Sequence, residues 1–260
     1  KQQASYPTGL VAADWGAPAS LLHATGPSAS LDIHTDLRDQ MEWLQRQQPN
    51  RLITFPTNAA ELARLSLAKD IDLSCIDSVR LLSEVTDAAT RKLVSDAWGA
   101  SVTEGYSAQE VGHIALQCPD HDHLHIQAEN LFVEIVDQAG RPCGPGETGR
   151  RLVTTLHNYA MPLLRYAIGD YATVGPPCAC GRGLPVITRV LGRVRNMLVH
   201  PDGSRHWPKL AAPFYRDIAP GIQHQIVQHS ATRIEARLVT EREITPSEEA
   251  RLREKILERL

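Results

Sequence analysis

The stretch LITFPTNAAELARL, residues 52–65, decides the fold class, because an apolar run gives way at a proline to a helical pattern. Its first four residues predict a buried strand. Pro56 ends that strand, and Asn58 with Glu61 predicts a capping box at the start of a helix. A strand followed directly by a helix is half of the unit that builds parallel sheets.

The same alternation continues on both sides of this stretch. Upstream, Thr35 predicts the start of a helix that Pro49 ends. Downstream, residues 79–82 predict a second strand, residues 93–97 lie in a predicted helix, and a third strand is expected at residues 101–103. Strands and helices in this order favour a parallel sheet with right-handed crossovers. Ligands in such sheets bind beyond the carboxyl ends of the strands.

The rest of the chain has a different pattern. Residues 124–126 and 133–135 alternate apolar and polar, which predicts short antiparallel strands. Residues 223–227 and 234–238 alternate again, and Thr245 opens a capped helix near the end of the chain. The predicted fold class is α/β, with a parallel βαβ subdomain over residues 1–117, a small antiparallel β-barrel-like subdomain over 118–192, and a hinge with the start of a small α+β lid domain over 193–260.

Composition excludes several classes of protein. A net charge of −3, a pI near 6.4 and scattered basic residues argue against nucleic-acid binding. No apolar run approaches the roughly 18 residues that a membrane span needs, and the chain opens without an apolar signal-peptide core. A soluble cytoplasmic protein is therefore expected. The odd number of cysteines favours free thiols or a metal site over a disulfide scaffold, and these are Cys75, Cys118, Cys143, Cys178 and Cys180.

Polar residues with binding chemistry cluster in three places. In GYSAQE, residues 105–110, Tyr106 offers a flat face for a base and Glu110 offers a hard oxygen ligand for Mg²⁺. Asp170 follows an apolar run in a Gly-Asp turn, where its carboxylate could accept ribose hydroxyls, although Asx turns without a ligand are common. Two Gly-Arg pairs lie within residues 181–193. Their guanidinium groups could bind phosphate oxygens, or they could form the solvated basic edge of a strand.

Four stretches in this order resemble the adenylate-forming enzymes, and among them the branch of phenylacetate-CoA ligase and coenzyme F390 synthetase. They are YSAQE, GETGRRLVTTLHNYAMPLLRYAIGDYA, CACGRGLP and LGRVRN, and the resemblance runs from about residue 30 to residue 260. It implies an enzyme that activates a carboxylic acid, expected to be an aryl acid, with MgATP. The products of that step are an acyl-adenylate and pyrophosphate, and the acyl group then passes to the thiol of coenzyme A.

The resemblance also implies roles for individual residues. Tyr106 would stack on adenine, and Ser107 would lie beside the substrate and phosphate. Glu110 would bind Mg²⁺, Asp170 would hold the ribose, and Arg193 would contact ribose or phosphate. Glu110 and Arg193 are the expected catalytic residues, since charge develops on phosphate oxygens in this reaction.

Three departures from the family pattern affect this expectation. Ser83-Glu84 stands in place of the usual Gly-Glu, so Glu84 is a weaker candidate for the nucleotide pocket and could equally be a helix-start acid. Asn196 replaces the usual hinge Asp. The chain is expected to be a fragment without the family's phosphate loop and its C-terminal catalytic Lys, and therefore poorly active alone.

The cysteines predict a structural zinc site. Cys118, His125, Cys178 and Cys180 form a Cys₃His set suited to tetrahedral zinc, with His123 or His121 as alternatives to His125. The spacing alone is weak evidence, but members of the resembling branch often carry zinc here. A closed site of this kind would clip loops together without a catalytic role.

Two other functions stay open. The acyl acceptor could be the thiol of a carrier protein instead of coenzyme A. Alternatively, the chain could be a catalytically inactive, zinc-stabilised module that binds nucleotide or acts as a scaffold. The expected partners are a small carboxylic acid, ATP and coenzyme A, with homodimerisation left open, and neither nucleic acid nor a membrane is expected to bind.

Overall fold

The computed structural model describes residues 8–193, 197–206, 215 and 218–258, without the side chains of Arg193, Arg205, His206 and Ile222. The chain divides into two compact units, the first unit Lys1–Gly105 and the second unit Tyr106–Leu260. The predicted domain boundaries after residues 117 and 192 stay predictions.

The first unit contains the expected alternation of strands and helices. Strands β3, β4 and the beginning of β5 pair in parallel, with Leu52 opposite Val79 and Val79 opposite Val102. The elements in chain order are β1 (Leu10–Ala12), α1 (Ala19–Leu22), β2 (Ser28–Ser30), α2 (Leu37–Gln47), β3 (Arg51–Thr54), α3 (Pro56–Lys69), β4 (Ser78–Leu82), α4 (Ala88–Trp98) and β5 (Ser101–Ala108).

One apolar core holds the first unit together. Helices α2, α3 and α4 contribute Leu44, Leu62 and Val94, which are each at most 3% exposed, and β4 contributes Val79 and Leu81, which are fully buried. The buried residues are three or four positions apart in α2 and α3, as in Met41 and Leu44, and two positions apart in β4. Both spacings match the periodicity of the sequence. The parallel βαβ arrangement predicted for this region is confirmed.

Strand β5 is longer than expected. The sequence predicts its end near residue 103, but the strand continues to Ala108, and the turn at residues 109–111 follows. Tyr106 and Ser107 therefore lie within the strand, and Glu110 lies on the turn. The β-branched pair Val102 and Thr103 marks only the first half of the strand, because Gly105 does not interrupt the pairing.

The second unit is mostly antiparallel β-structure, as predicted. Its main strands are ordered β6-β7-β11-β10-β9-β8, while β12 pairs with β13 and β14 pairs with β15. The elements are β6 (Gly112–Gln117), β7 (Leu124–Ile126), β8 (Leu131–Val136), β9 (Thr148–Thr155), β10 (Tyr166–Val174), β11 (Val186–Arg193), β12 (Leu198–Val199), β13 (Arg205–His206), β14 (Gly221–Ser230), β15 (Arg233–Thr240) and α5 (Pro246–Leu257). The predicted α/β fold class is confirmed.

Strand β10 carries a bulge against β9. Ala167 pairs with Leu152 and Tyr171 pairs with Arg150, so the three residues 168–170 of β10 lie opposite Arg151 alone. Gly169 within this bulge has φ +85°, a conformation that a side chain would strain. Asp170 was expected in a turn after the strand, and it lies instead within the strand at this bulge.

The sequence pattern predicts the N-cap of α5 correctly and places the N-cap of α2 one residue too early. Thr245 caps α5 with Glu248 in a complete capping box, as predicted. Helix α2 is capped by Asp36 and not by Thr35.

No helix in the described part of the chain is long and apolar enough to cross a membrane.

Candidate functional site

Tyr106 and Asp170, two residues predicted to bind nucleotide, are in direct contact. The Tyr106 hydroxyl donates a hydrogen bond of 2.5 Å to Oδ2 of Asp170. Strand β5 positions the tyrosine, and the bulge in β10 positions Asp170, whose side chain is 12% exposed. The structure therefore joins an aromatic ring and a carboxylate that are 64 residues apart in sequence.

Arg151 completes this cluster, and the sequence analysis missed it. Its Cζ lies 3.7 Å from the centroid of the Tyr106 ring, and its Nη2 lies 3.2 Å from Oδ2 of Asp170. The Arg151 side chain is fully buried. Burial lowers the pKa of Arg151, while Tyr106 and Asp170 act in the opposite direction. We call Tyr106, Arg151 and Asp170 the Tyr-Arg-Asp cluster.

A signal for Arg151 is present in the sequence. Residues 152–155 read as an apolar strand, and extending that strand backwards places either Arg150 or Arg151 on its inward face. A charged residue at an inward strand position needs a partner. The partner, Asp170, is set by the bulge in β10, which the sequence pattern does not reveal.

The two other residues expected beside the nucleotide lie on β11 and β5, which are not adjacent in the sheet. Arg193 is opposite Asp170 in the pairing of β11 with β10. Its side chain lies outside the described part of the structure, as does the whole of Asn196. Ser107 follows Tyr106 in β5, where alternation directs successive side chains to opposite faces.

Glu110 borders a cavity of about 360 Å³ in the second unit. Tyr166 donates a hydrogen bond of 3.4 Å to Oε1 of Glu110. The other lining residues are Val111, Asn130, Leu131, Thr155, His157 and Asn158. Carboxylate, amide and hydroxyl oxygens are the ligands that Mg²⁺ prefers, so this lining is compatible with Mg²⁺. A larger open cleft of about 710 Å³ along α5 contains none of the predicted site residues.

Glu84, the weaker nucleotide candidate, lies at the start of α3 in the first unit. Its Oε2 and Oε1 accept hydrogen bonds of 3.0 Å from the backbone N–H and the hydroxyl of Thr57. A carboxylate at this position satisfies a donor at the helix N-terminus and complements the helix dipole. The contacts of Glu84 therefore agree with the alternative prediction of an acid at a helix start. The helix is α3, however, and not the helix that follows Glu84 in sequence.

The predicted zinc ligands lie close together. The Sγ atoms of Cys118 and Cys178 are 3.9 Å apart, and Sγ of Cys180 is 3.3 Å from Nε2 of His125. Ligands at about 2.3 Å from a tetrahedral zinc are separated by roughly 3.8 Å, which is similar to both distances. His123 also belongs to this cluster, since ligand atoms of Cys118, His123, His125 and Cys178 all lie within 4.8 Å of one another.

The pKa shifts within this cluster differ between its members. The backbone N–H of Arg182 lowers the pKa of the Cys180 thiol to about 6, which favours the thiolate that zinc binds. Burial lowers the pKa of His123, which favours the neutral ring, whereas burial raises the pKa of the Cys178 thiol. Nδ1 of His125 and Nε2 of His123 are buried without a hydrogen-bond partner among the described residues. Buried polar atoms without partners are expected where a ligand is absent.

The comparisons with known proteins confirm the resemblance to phenylacetate-CoA ligases. The phenylacetate-coenzyme A ligase of Thermus thermophilus is 30% identical over 168 residues, which are 62% of this chain and 38% of that protein. The phenylacetate-coenzyme A ligase of Escherichia coli is 27% identical over 167 residues, with the same two coverages. The chain spans about 38% of the length of these curated relatives. No family model matches the chain.

Solved structures of adenylate-forming enzymes share the fold. A 2-hydroxyisobutyryl-CoA ligase in complex with an acyl-AMP gives a TM-score of 0.64 at 20% identity, over 78% of this chain and 45% of that one. An anthranilate CoA ligase in complex with anthranoyl-AMP gives 0.63 at 17% identity, over 86% of this chain and 46% of that one. These similarities confirm the fold that the resemblance implies.

Proposed function

From its similarity to phenylacetate-CoA ligases, we propose that the chain is part of an AMP-forming ligase that joins a carboxylic acid to coenzyme A. The contact between Tyr106 and Asp170 carries this proposal, because it places the residues expected to bind adenine and ribose side by side. The acid is proposed to be an aryl acid, in line with the names of the two curated relatives.

The proposed reaction has two steps. A carboxylate oxygen attacks the α-phosphorus of ATP, and the bond to pyrophosphate breaks, which leaves an acyl-adenylate. The sulfur of coenzyme A then attacks the acyl carbon, AMP leaves, and the thiol proton passes to solvent. Both steps build charge on phosphate or acyl oxygens, so positioning and electrostatic stabilisation are the main demands on the protein.

The side chains of the second unit supply part of this stabilisation. Glu110 would hold Mg²⁺ at the cavity it borders, with oxygen atoms of Asn130 and Thr155 within the same lining. The metal would neutralise charge that develops on the phosphates. Tyr166 restrains the Glu110 carboxylate through its hydroxyl, which favours one orientation of the metal ligand. Arg193 in β11 is proposed to contact ribose or phosphate, and Ser107 in β5 is proposed to lie beside the substrate and phosphate.

Carboxylate-dependent exchange between ATP and pyrophosphate tests the proposal. The assay compares wild type, Glu110→Ala and the control Glu42→Ala, whose side chain is exposed on α2. It uses the chain together with any segments that flank it in its gene product, over a panel of aryl and aliphatic acids. We expect exchange with an aryl acid, at least 100-fold weaker in Glu110→Ala and unchanged in Glu42→Ala.

Two results would contradict parts of this function. Exchange without formation of an acyl-CoA thioester would point to a carrier-protein acceptor. A folded protein that exchanges pyrophosphate with no acid would favour the inactive nucleotide-binding module.

We also propose that Cys118, His125, Cys178 and Cys180 bind structural zinc. His123 was an alternative to His125 in the sequence analysis, but here it is the alternative to Cys180, because ligand atoms of Cys118, His123, His125 and Cys178 lie within 4.8 Å of one another. The distances between their ligand atoms and the lowered pKa of Cys180 support this site. The metal content of Cys180→Ser and His123→Ala identifies the fourth ligand, because only the variant without that ligand should lose zinc. Equal zinc in both variants and in Cys178→Ser would overturn the site.

A further inference from the structure

Arg151 carries a charged guanidinium that is fully buried, and two neighbouring side chains compensate for the loss of its hydration. Its guanidinium is fully buried, and Nε, Nη1 and Nη2 have no hydrogen-bond partner among the described residues. Removing a charged guanidinium from water is costly unless other groups compensate for the lost solvation. Two contacts do so here, the ion pair with Asp170 at 3.2 Å and the cation–π contact with Tyr106 at 3.7 Å.

Both contacts involve residues of the proposed nucleotide pocket. The ion pair falls short of hydrogen-bond geometry, so Arg151 acts on Asp170 through charge. Its planar guanidinium covers one face of the Tyr106 ring, and the Tyr106 hydroxyl bonds to the same Oδ2 of Asp170. Each member of the cluster thus contacts the other two.

The strand register explains how the arginine reaches this place. The bulge sets residues 168–170 of β10 opposite Arg151, which brings Asp170 beside it. Bulges redirect side chains and are frequent next to binding sites. The neighbouring Arg150 is exposed, so one arginine of the pair points to solvent and the other to the cluster.

We propose that Arg151 is a positioning residue for nucleoside recognition, which fixes the ring plane of Tyr106 and the orientation of the Asp170 carboxylate before the nucleotide binds. The inference rests on the proposed function. Its physical basis is preorganisation, since side chains that are already ordered lose less conformational entropy when a ligand binds. Arg151 itself is not proposed to touch the nucleotide.

The affinity for AMP tests this role without any dependence on turnover. Isothermal titration calorimetry compares wild type, Arg151→Met, Arg151→Lys and the control Arg150→Met. Methionine fills a similar length of the cavity without charge or planarity, whereas lysine keeps the charge and loses the planar stacking. We expect the affinity of Arg151→Met to fall by about tenfold or more, that of Arg151→Lys to fall less, and that of Arg150→Met to equal wild type.

The thermal unfolding midpoint of each variant separates positioning from stability. A lower midpoint in Arg151→Met with unchanged AMP affinity would overturn the inference, because it would show a purely structural role. Equal affinity in Arg151→Met, Arg150→Met and wild type would overturn the inference and leave the proposed function intact. If Arg151→Met does not fold, wild-type affinity in Arg151→Lys would overturn it.

The same titration addresses the proposed function separately. Failure of folded wild type to bind AMP would overturn both the nucleotide site and the role of Arg151 in it. Binding by wild type with a selective loss in the two Arg151 variants supports both.

Discussion

Ser83 adopts a backbone conformation that serine rarely takes. Its φ of +68° lies in the left-handed region, and the residue is exposed at the end of β4. The family pattern places glycine here, which adopts this conformation without steric cost. The next residue, Glu84, accepts a hydrogen bond from the start of α3.

We predict that Ser83→Gly stabilises the protein. Relief of the left-handed strain is worth about 1–2 kcal/mol, and the greater freedom of glycine in the unfolded chain offsets about half of it. The free energy of unfolding in urea should rise by about 0.5–1 kcal/mol. Ser83→Ala is the control, since it retains the Cβ, and an equal gain in that variant would contradict the explanation.

Helix α3 shows how a distant residue can replace a local cap. The sequence predicts a capping box from Asn58 and Glu61, which is wrong, because the helix already begins at Pro56 and its N-cap makes no side-chain bond. The Nδ2 of Asn58 instead donates to Gln40 and Thr54. The carboxylate of Glu84 supplies the missing acceptor from 27 residues downstream of Thr57.

Removal of this distant cap should destabilise the first unit. Glu84→Ala leaves the Thr57 N–H and hydroxyl without their acceptor, and loss of an N-terminal cap typically costs about 1 kcal/mol. Urea unfolding should show that decrease, while Glu42→Ala on the exposed face of α2 should not. Glu84→Gln should retain part of the stability through its amide oxygen. A stability equal to wild type in Glu84→Ala would show that solvent replaces the cap.

Helix α5 was predictable because its cap is local. Thr245 and Glu248 are three residues apart and exchange hydrogen bonds as the sequence pattern requires. Arg242 adds two further contacts to the Glu248 carboxylate, at 3.0 and 2.8 Å. Together they lower the pKa of Glu248 to about 2, with the Arg242 hydrogen bond as the main cause.

This lowered pKa predicts an acid-sensitive start of α5. The folded-state pKa is below the unfolded value of about 4.3, so the contribution to stability is complete above pH 4.3 and is lost as the pH falls towards 2. The protection factors for hydrogen exchange, which are corrected for the intrinsic pH dependence of amide exchange, should fall over this range at Thr245, Glu248 and Glu249. Glu248→Gln should show lower protection at neutral pH and lose the pH dependence of the protection factors. Wild-type protection factors that stay constant down to pH 2 would contradict the prediction.

For the whole molecule, the sequence predicts the features that depend on local patterns and misses those that depend on strand register. Alternation gave the parallel strands of the first unit and the antiparallel strands of the second, because side-chain periodicity is a local property. Only the family resemblance assigned Tyr106 and Asp170 to one nucleotide, and it did not predict their direct hydrogen bond. Arg151 was missed because its environment depends on strand register, and register depends on contacts that are distant in sequence.

Zinc removal should destabilise the second unit. Cys118 follows β6, His125 lies in β7, and Cys178 precedes β11, so the proposed metal would connect three segments. Chelation, or Cys178→Ser, should lower the unfolding midpoint by about 5–10 °C and accelerate hydrogen exchange at residues 118–126 and 176–186. Cys75→Ser, in the first unit, should retain both zinc and stability. Unchanged exchange after complete removal of the metal would refute a structural role.

The bulge in β10 also constrains how the chain can change in length. It adds two residues to β10 relative to β9, and an even number preserves the alternation of the strand on both sides. Deletion of one residue from 168–170 would turn Ala172, now fully buried, towards the opposite face, and Val174 with it. Insertions and deletions in this segment are therefore compatible with the core only in pairs, whereas the loops between strands have no such parity rule.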